Sequence, residues 1–315
     1  MTCRIRTGDW KDKTMNLEGK RVLVVGSGKS GVAAAELLRK KGITFVLFDG
    51  NKDLDVTALI EKNPVFAGAE ILLGELAPED MARIDLVVLS PGVPTDLPMV
   101  NELRNRQIPI WGEIELAYHF AKGRIIAITG TNGKTTTTSL VGEIMANYFD
   151  DVKVVGNIGI PYTSVAADTT EDTVTVAEIS SFQLETTHEF APEVTAILNI
   201  TPDHLNRHHT MEAYVAAKEA VASQQTKADI CVLNYDNDYT RDFAGRCPAT
   251  PVLFSSHQEL ENGYFLRGDK IIKSVNGEEH ELMDIHKDMN LVGLCNVENV
   301  MAAIAIAEGM HCLLY

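Results

Sequence analysis

Cysteine is scarce in this chain of 315 residues and follows no pattern. The five (Cys3, Cys231, Cys247, Cys295 and Cys312) include no CxxC pair, which argues against a disulfide framework and against a zinc site. Reduced thiols in a cytoplasmic protein are expected instead. Positive charge is also short: 28 Lys and Arg stand against 44 Asp and Glu, a net charge of −16. A nucleic-acid partner is therefore not expected, and any bound phosphate must be held by local donors against the overall field. No apolar run approaches the length needed to cross a bilayer, so no membrane role is expected. The opening residues, MTCRIRTGDWKDKTMNLEGKR, lack the apolar core of a signal peptide. Residues 1–14 are expected to be a disordered extension; an ordinary flexible terminus reads equally well. Internal repeats and low-complexity linkers are missing too, and a monomer is expected.

What is present is an alternation of apolar β-rich runs and helical patterns. RVLVVG (21–26) reads as a buried strand, SGVAAAELLRKKG (30–42) as a helix closed by glycine, and ITFVLFD (43–49) and IDLVVLSPG (84–92) as further strands. This is the rhythm of a parallel sheet covered on both faces. A second series begins near Gly112. A helix is expected over 113–123, a strand over 124–130, and a helix from Lys134 to about Tyr148. Strands follow at 173–180, 194–200 and 229–234, with an amphipathic helix at 210–225. In the polar stretch 255–290, short strands are expected at 264–273. The class is α/β: a Rossmann-like parallel-sheet unit over 15–112, then a P-loop ATPase-like α/β unit over 113–315.

Two glycine loops carry the chemistry. The first, GSGKSG (Gly26, Gly28, Gly31), follows a strand and opens a helix, with Asp49 ending the next strand. That is the dinucleotide fingerprint, in which backbone N–H groups at a helix N-terminus face a pyrophosphate. Any nucleotide diphosphate could use it, and a tight turn without ligand is the plainer reading. The second, GTNGKTT (130–136), lies between a strand and a helix. Ile128 stands where a strict Walker A loop has glycine, yet the context is that of a phosphate cradle. Its backbone would wrap the phosphates, Lys134 would reach the β- and γ-phosphates, and the Thr135 hydroxyl would ligate Mg²⁺.

GTNGKTT resembles the ATP loop of the Mur ligases and of the related folylpolyglutamate synthetases. GNIGIP (156–161), EISSFQLE (178–185), LNITPDHLNRH (198–208), YVAAKE (214–219) and GLCNVENVMAA (293–303) follow in the order of one Mur ligase branch. That branch joins D-glutamate to UDP-N-acetylmuramoyl-L-alanine with ATP in peptidoglycan synthesis. The resemblance implies two Mg²⁺ ions, with Thr135, Glu178, His204 and Lys218 as metal ligands and Lys134, His204 and Lys218 as catalytic residues. It implies an ATP site of Gly130, Thr131, Asn132, Gly133, Lys134, Thr135 and Thr136, with Asn296 and Asn299 at the adenine. It assigns Gly28, Lys29, Ser30, Asp49, Gly92 and Asn157 to the UDP substrate, with Ser180, Ser181 and Gln183 shaping the cleft or packing beneath it. Lys218 should carry a carbamate formed with CO₂, which requires a buried amine of depressed pKa. The residue itself, on a helix, reads as an exposed charge, and a lone loop histidine such as His204 usually does nothing.

The pattern also departs from the family. Cys295 stands where histidine is usual and Asn206 where aspartate is usual. The family's C-terminal, amino-acid-binding domain is expected to be absent. The chain should then keep its UDP and ATP surfaces but form little product. Three rival readings are an NAD(P)-dependent oxidoreductase, from GSGKSG and Asp49; a folylpolyglutamate synthetase, which should lack the UDP-binding unit read over 15–112; and a non-catalytic nucleotide-binding fragment.

Overall fold

The computed structural model describes residues 17–157, 159–289 and 293–312. The extension expected over 1–14 lies outside them. The α/β class read from the sequence is the class observed.

Five strands form the first sheet: β1 (Val22–Val25), β2 (Phe45–Asp49), β3 (Glu70–Leu73), β4 (Leu86–Leu89) and β5 (Ile110–Gly112). All pairs are parallel, in the order β3-β2-β1-β4-β5. Every residue of β1 and β4 is buried, as a sheet covered on both faces requires. The strand order reverses between β1 and β4, and this is where an open α/β sheet has its ligand crevice. The Gly26–Gly31 loop leaves β1 at that point. A Cβ on Gly31 would lie 1.9 Å from the Gly26 carbonyl oxygen, so only glycine lets the helix Lys29–Lys40 start this close to the strand.

The second sheet has nine strands: β6 (Arg124–Thr129), β7 (Val152–Gly156), β8 (Val174–Glu178), β9 (Val194–Ile197), β10 (Ile230–Asn234), β11 (Thr250–Ser255), β12 (Gly263–Arg267), β13 (Lys270–Val275) and β14 (Glu278–Asp284). Their order is β14-β13-β12-β11-β10-β9-β6-β8-β7, parallel except for the ribbon β12–β14. The chain runs outward from β6 to β7, returns to β8 and crosses to β9, so β6 lies at the switch point. β6, β8, β9 and β10 stand where the apolar runs predict strands. β3, β5, β7, β11 and β14 are short, charged or carry proline, and the pattern does not mark them. The helix expected at 210–225 is shorter: Met211–Glu219, then a 3₁₀ turn at Ala220–Ala222.

Helix Leu294–Gly309 buries ten of its residues against one face of the second sheet, meeting Ile126, Ile128 and Val176. On the other face, one apolar cluster runs from Val22, Val24 and Leu47 of the first sheet through Trp111, Ile114 and Tyr118 to Ile125, Ala127 and Ile197 of the second. Each fully buried aliphatic side chain of this kind contributes roughly 1.5–3 kcal/mol. Among the described residues, no helix is long and apolar enough to cross a membrane.

Candidate functional site

β6 delivers the second glycine loop at its buried carboxyl end. Gly133, at φ +84°, caps the helix Lys134–Tyr148, and a Cβ there would fall 2.3 Å from the Asn299 Oδ1. Glycine is needed on both counts. The loop is braced from β9's extension. The Asn132 N–H donates to Asn199 Oδ1 (2.8 Å), and Asn199 Nδ2 donates back to the Asn132 carbonyl (3.1 Å). Thr131 Oγ1 accepts from the Thr201 N–H at 3.0 Å and meets the Tyr214 hydroxyl at 3.1 Å. The cradle is thus preformed.

Two lysines meet on one carbonyl. Lys134 Nζ donates to the oxygens of Gly130 (3.0 Å) and Thr131 (2.9 Å), and Lys218 Nζ donates to Gly130 O at 2.8 Å. Lys218 is 2% exposed, which overturns its reading as a surface charge. The reason is placement: Tyr214, one turn earlier on the same helix, packs against the loop and turns that face inward, with the Lys218 ammonium 4.7 Å from its ring centroid. Burial pushes the Lys218 amine down to about 7; the charge of Lys134 adds to the fall and Asp203 opposes it. Lys134 is also lowered by burial, against the pull of Glu178 and Asp203.

Glu178 ends β8 and is 2% exposed, in register with Ile128 of β6. The Asn157 side-chain amide donates to its Oε1 at 3.2 Å, and the Asn157 N–H donates to its carbonyl at 2.8 Å. In the first turn of the 134–148 helix, Thr135 is exposed and Thr136 half-buried. His204, at φ +51°, precedes the short helix Leu205–His208. Its half-exposed ring lies 4.9 Å from the Phe182 ring and 3.3 Å from Asp203 Oδ2. The acid beside His204 is therefore Asp203, while Asn206 is exposed. Asn299 accepts from the Thr137 hydroxyl (3.3 Å) and donates to Asn296 Oδ1 (3.3 Å), so both asparagines stand at the start of the phosphate-loop helix. Cys295 is exposed on the same turn.

Around the first glycine loop, Gly28 caps the 29–40 helix and Ser30 lies in its first turn. Asp49 Oδ2 accepts from the Ser27 N–H (3.0 Å) and hydroxyl (2.6 Å), and Oδ1 accepts from Asn51 N–H (3.0 Å). Burial alone would raise the Asp49 pKa; the donors from Ser27 and Asn51 outweigh it and lower it. Gly92 is exposed in the turn after β4. Lys29 donates to the Gly159 carbonyl, which sets the first loop against Gly159 of the second unit. A depression of about 370 Å³, lined by Ser27, Gly28, Lys29, Lys62, Pro161 and Ser164, adjoins this contact.

Ser181 and Gln183 are buried. Ser181 Oγ lies 2.9 Å from His208 Nε2, and Gln183 forms a capping box with Ser180. Burial lowers the His208 pKa, with Glu185 pulling the other way. Sequence reasoning missed Asn199, Asp203 and Tyr214. The first two lie inside the quoted LNITPDHLNRH run, and Tyr214 stands four residues before Lys218, which is the spacing of one helix face. A separate trio, Asp236, His257 and Glu298, brings its ligand atoms within 4.8 Å of one another, with the carboxylates engaged by Ser255 and Ser256.

The Mur ligase middle domain family matches residues 128–307, and the Mur ligase MurD-like N-terminal domain family matches residues 20–112. The chain belongs to the Mur ligase family. It is similar to the UDP-N-acetylmuramoylalanine–D-glutamate ligase of Lachnoclostridium phytofermentans, at 55% identity over 93% of this chain and 64% of that protein. The ligase of the same description from Lachnospira eligens is 53% identical over 93% of this chain and 65% of its own length. The chain thus spans 64% and 65% of these two relatives. Its fold is similar to the crystal structure of UDP-N-acetylmuramate:L-alanyl-gamma-D-glutamyl-meso-diaminopimelate ligase from Neisseria meningitides. The TM-score is 0.58 at 16% identity, over 94% of this chain and 95% of that one. The comparisons with this Mur ligase family give no support to the oxidoreductase reading.

Proposed function

We propose that the chain carries the UDP-substrate and ATP-binding parts of a ligase that joins D-glutamate to UDP-N-acetylmuramoyl-L-alanine. One observation supports this most: Lys134 and Lys218 converge on the Gly130 carbonyl in a preformed phosphate cradle, with buried Glu178 at the neighbouring strand end. Residues 15–112 would hold the UDP group through Gly28, Lys29, Ser30, Asp49 and Gly92, and residues 113–315 would hold ATP.

In the reaction, the alanyl carboxylate of the UDP substrate attacks the γ-phosphorus of ATP. ADP leaves and an acyl phosphate forms. The D-glutamate amine then attacks the acyl carbon, phosphate leaves, and the new amide loses a proton. Anion meets anion in the first step, so positive charge and fixed positioning are the protein's main contribution. Loop N–H groups and Lys134 bind the phosphates. For that, Lys134 exchanges the Gly130 and Thr131 carbonyls for phosphate oxygens. Asn157 orients the muramoyl-alanine part, Asn296 and Asn299 meet the adenine, and His204 faces the acyl phosphate.

The Thr135 hydroxyl and the buried Glu178 carboxylate are hard oxygen donors that fit Mg²⁺. Bound there, the ion would neutralise charge building on the phosphoryl oxygens. Lys218 does not fit a second ion as an amine. A carbamate would fit, and an amine with a pKa of about 7 is substantially neutral at physiological pH, the form that adds CO₂.

Calorimetric titration tests the proposal. The chain is expected to bind AMP-PNP and UDP-N-acetylmuramoyl-L-alanine, and Lys134→Ala is expected to weaken AMP-PNP about a hundredfold while sparing the UDP ligand. Failure to bind either ligand, or NADH displacing the UDP ligand, counts against it.

A further inference from the structure

Glu113 is the first residue of the helix Glu113–Phe120, directly after β5 of the first sheet, and its side chain is fully enclosed. Oε1 accepts from the Thr163 N–H at 2.7 Å and the Thr163 hydroxyl at 3.0 Å. Oε2 accepts from Gln183 Nε2 at 3.4 Å. Thr163 is the second residue of the helix Tyr162–Ala166, which follows Asn157 in the chain. Gln183 holds the other wall, its Oε1 accepting from both the N–H and the hydroxyl of Ser180 at 3.0 Å. One carboxylate on the link between the sheets therefore ties together the Tyr162–Ala166 helix and the 180–183 segment. The link is itself pinned, since the Gly112 N–H donates to the Thr186 carbonyl at 3.2 Å.

Resting on the ligase reading above, we propose that Glu113 is a positioning residue for the muramoyl-alanine part of the UDP substrate, holding the Tyr162–Ala166 helix, which follows Asn157 in the chain, and the 180–183 segment in one arrangement. It touches no substrate itself. The Thr163 N–H and Gln183 Nε2 can only donate, one to each oxygen, so both oxygens accept. A glutamine there presents a donor to either Thr163 or Gln183, and one wall loses its tie.

Calorimetry with three probes reads the role. Glu113→Gln is expected to weaken UDP-N-acetylmuramoyl-L-alanine about tenfold, while UDP alone and AMP-PNP keep their affinities within about twofold. Thr163→Val, which removes one donor and keeps the volume, is expected to act in the same direction with a smaller effect, and it serves if Glu113→Gln does not fold. Equal affinities of variant and parent for the UDP substrate overturn this inference alone. So does a parallel loss for all three probes, which would mark a structural residue. A parent chain that binds no UDP substrate overturns the ligase reading and this inference with it.

Discussion

A buried amine dominates the residue scale. The Lys218 ammonium costs stability when charged, because the unfolded chain holds its proton up to about pH 10 and the folded chain gives it up near 7. Between those limits the unfolded state binds more protons, so stability rises with pH, by up to about 1.4 kcal/mol per pH unit, and the cost is fully present below the folded value. Lys218→Met removes that slope. Its stability advantage over the parent, from urea denaturation between about pH 6 and about pH 9, should shrink as pH rises. A constant difference would mean that Lys218 keeps its proton throughout that range in the folded chain, as a solvent-exposed amine does. Nothing in YVAAKE marks this lysine as buried. Burial follows from the approach of the 211–219 helix to a loop more than eighty positions away in the chain, which periodicity does not report.

At the scale of elements, that helix is held by its cap. Thr210 Oγ1 accepts from the Ala213 N–H at 3.1 Å. Thr210→Ala should cost about 1 kcal/mol and Thr210→Ser nearly nothing, measured on the unfolding transition of the second sheet. An alanine variant as stable as the parent would show the helix to be held by packing alone. The strands around the site were legible because β6, β8, β9 and β10 are short, continuous apolar runs ended by turn residues. Both glycine loops were legible because glycine, lysine and threonine at strand–helix junctions have few other uses. β7 and β14 were not: Val154 is exposed, and β14 is largely charged, so pairing alone makes them strands.

The whole molecule is joined by polar ties beside a continuous core. One arginine nitrogen of Arg207, on the second unit, donates to the Val93 carbonyl of the first (3.0 Å) and to Glu185 Oε2 (2.7 Å). The Thr95 hydroxyl reaches the same carboxylate oxygen at 3.2 Å. Arg207→Ala should speed amide exchange across residues 91–97 and leave β6 and β8 to β10 protected, since local opening follows the loss of local ties. Unchanged exchange over 91–97 would assign the joint to its apolar cluster instead.

By itself the sequence determined the α/β alternation, the two phosphate-type loops and the run of motifs that names the family, because each is a local pattern of burial or backbone freedom. Tertiary structure alone decided that Lys218 meets the Gly130 carbonyl of the phosphate loop. It also decided that Glu113 spans two segments fifty and seventy positions away. Those contacts depend on how strands are ordered across the sheets, and side-chain environment, unlike periodicity, is a property of neighbours distant in the chain.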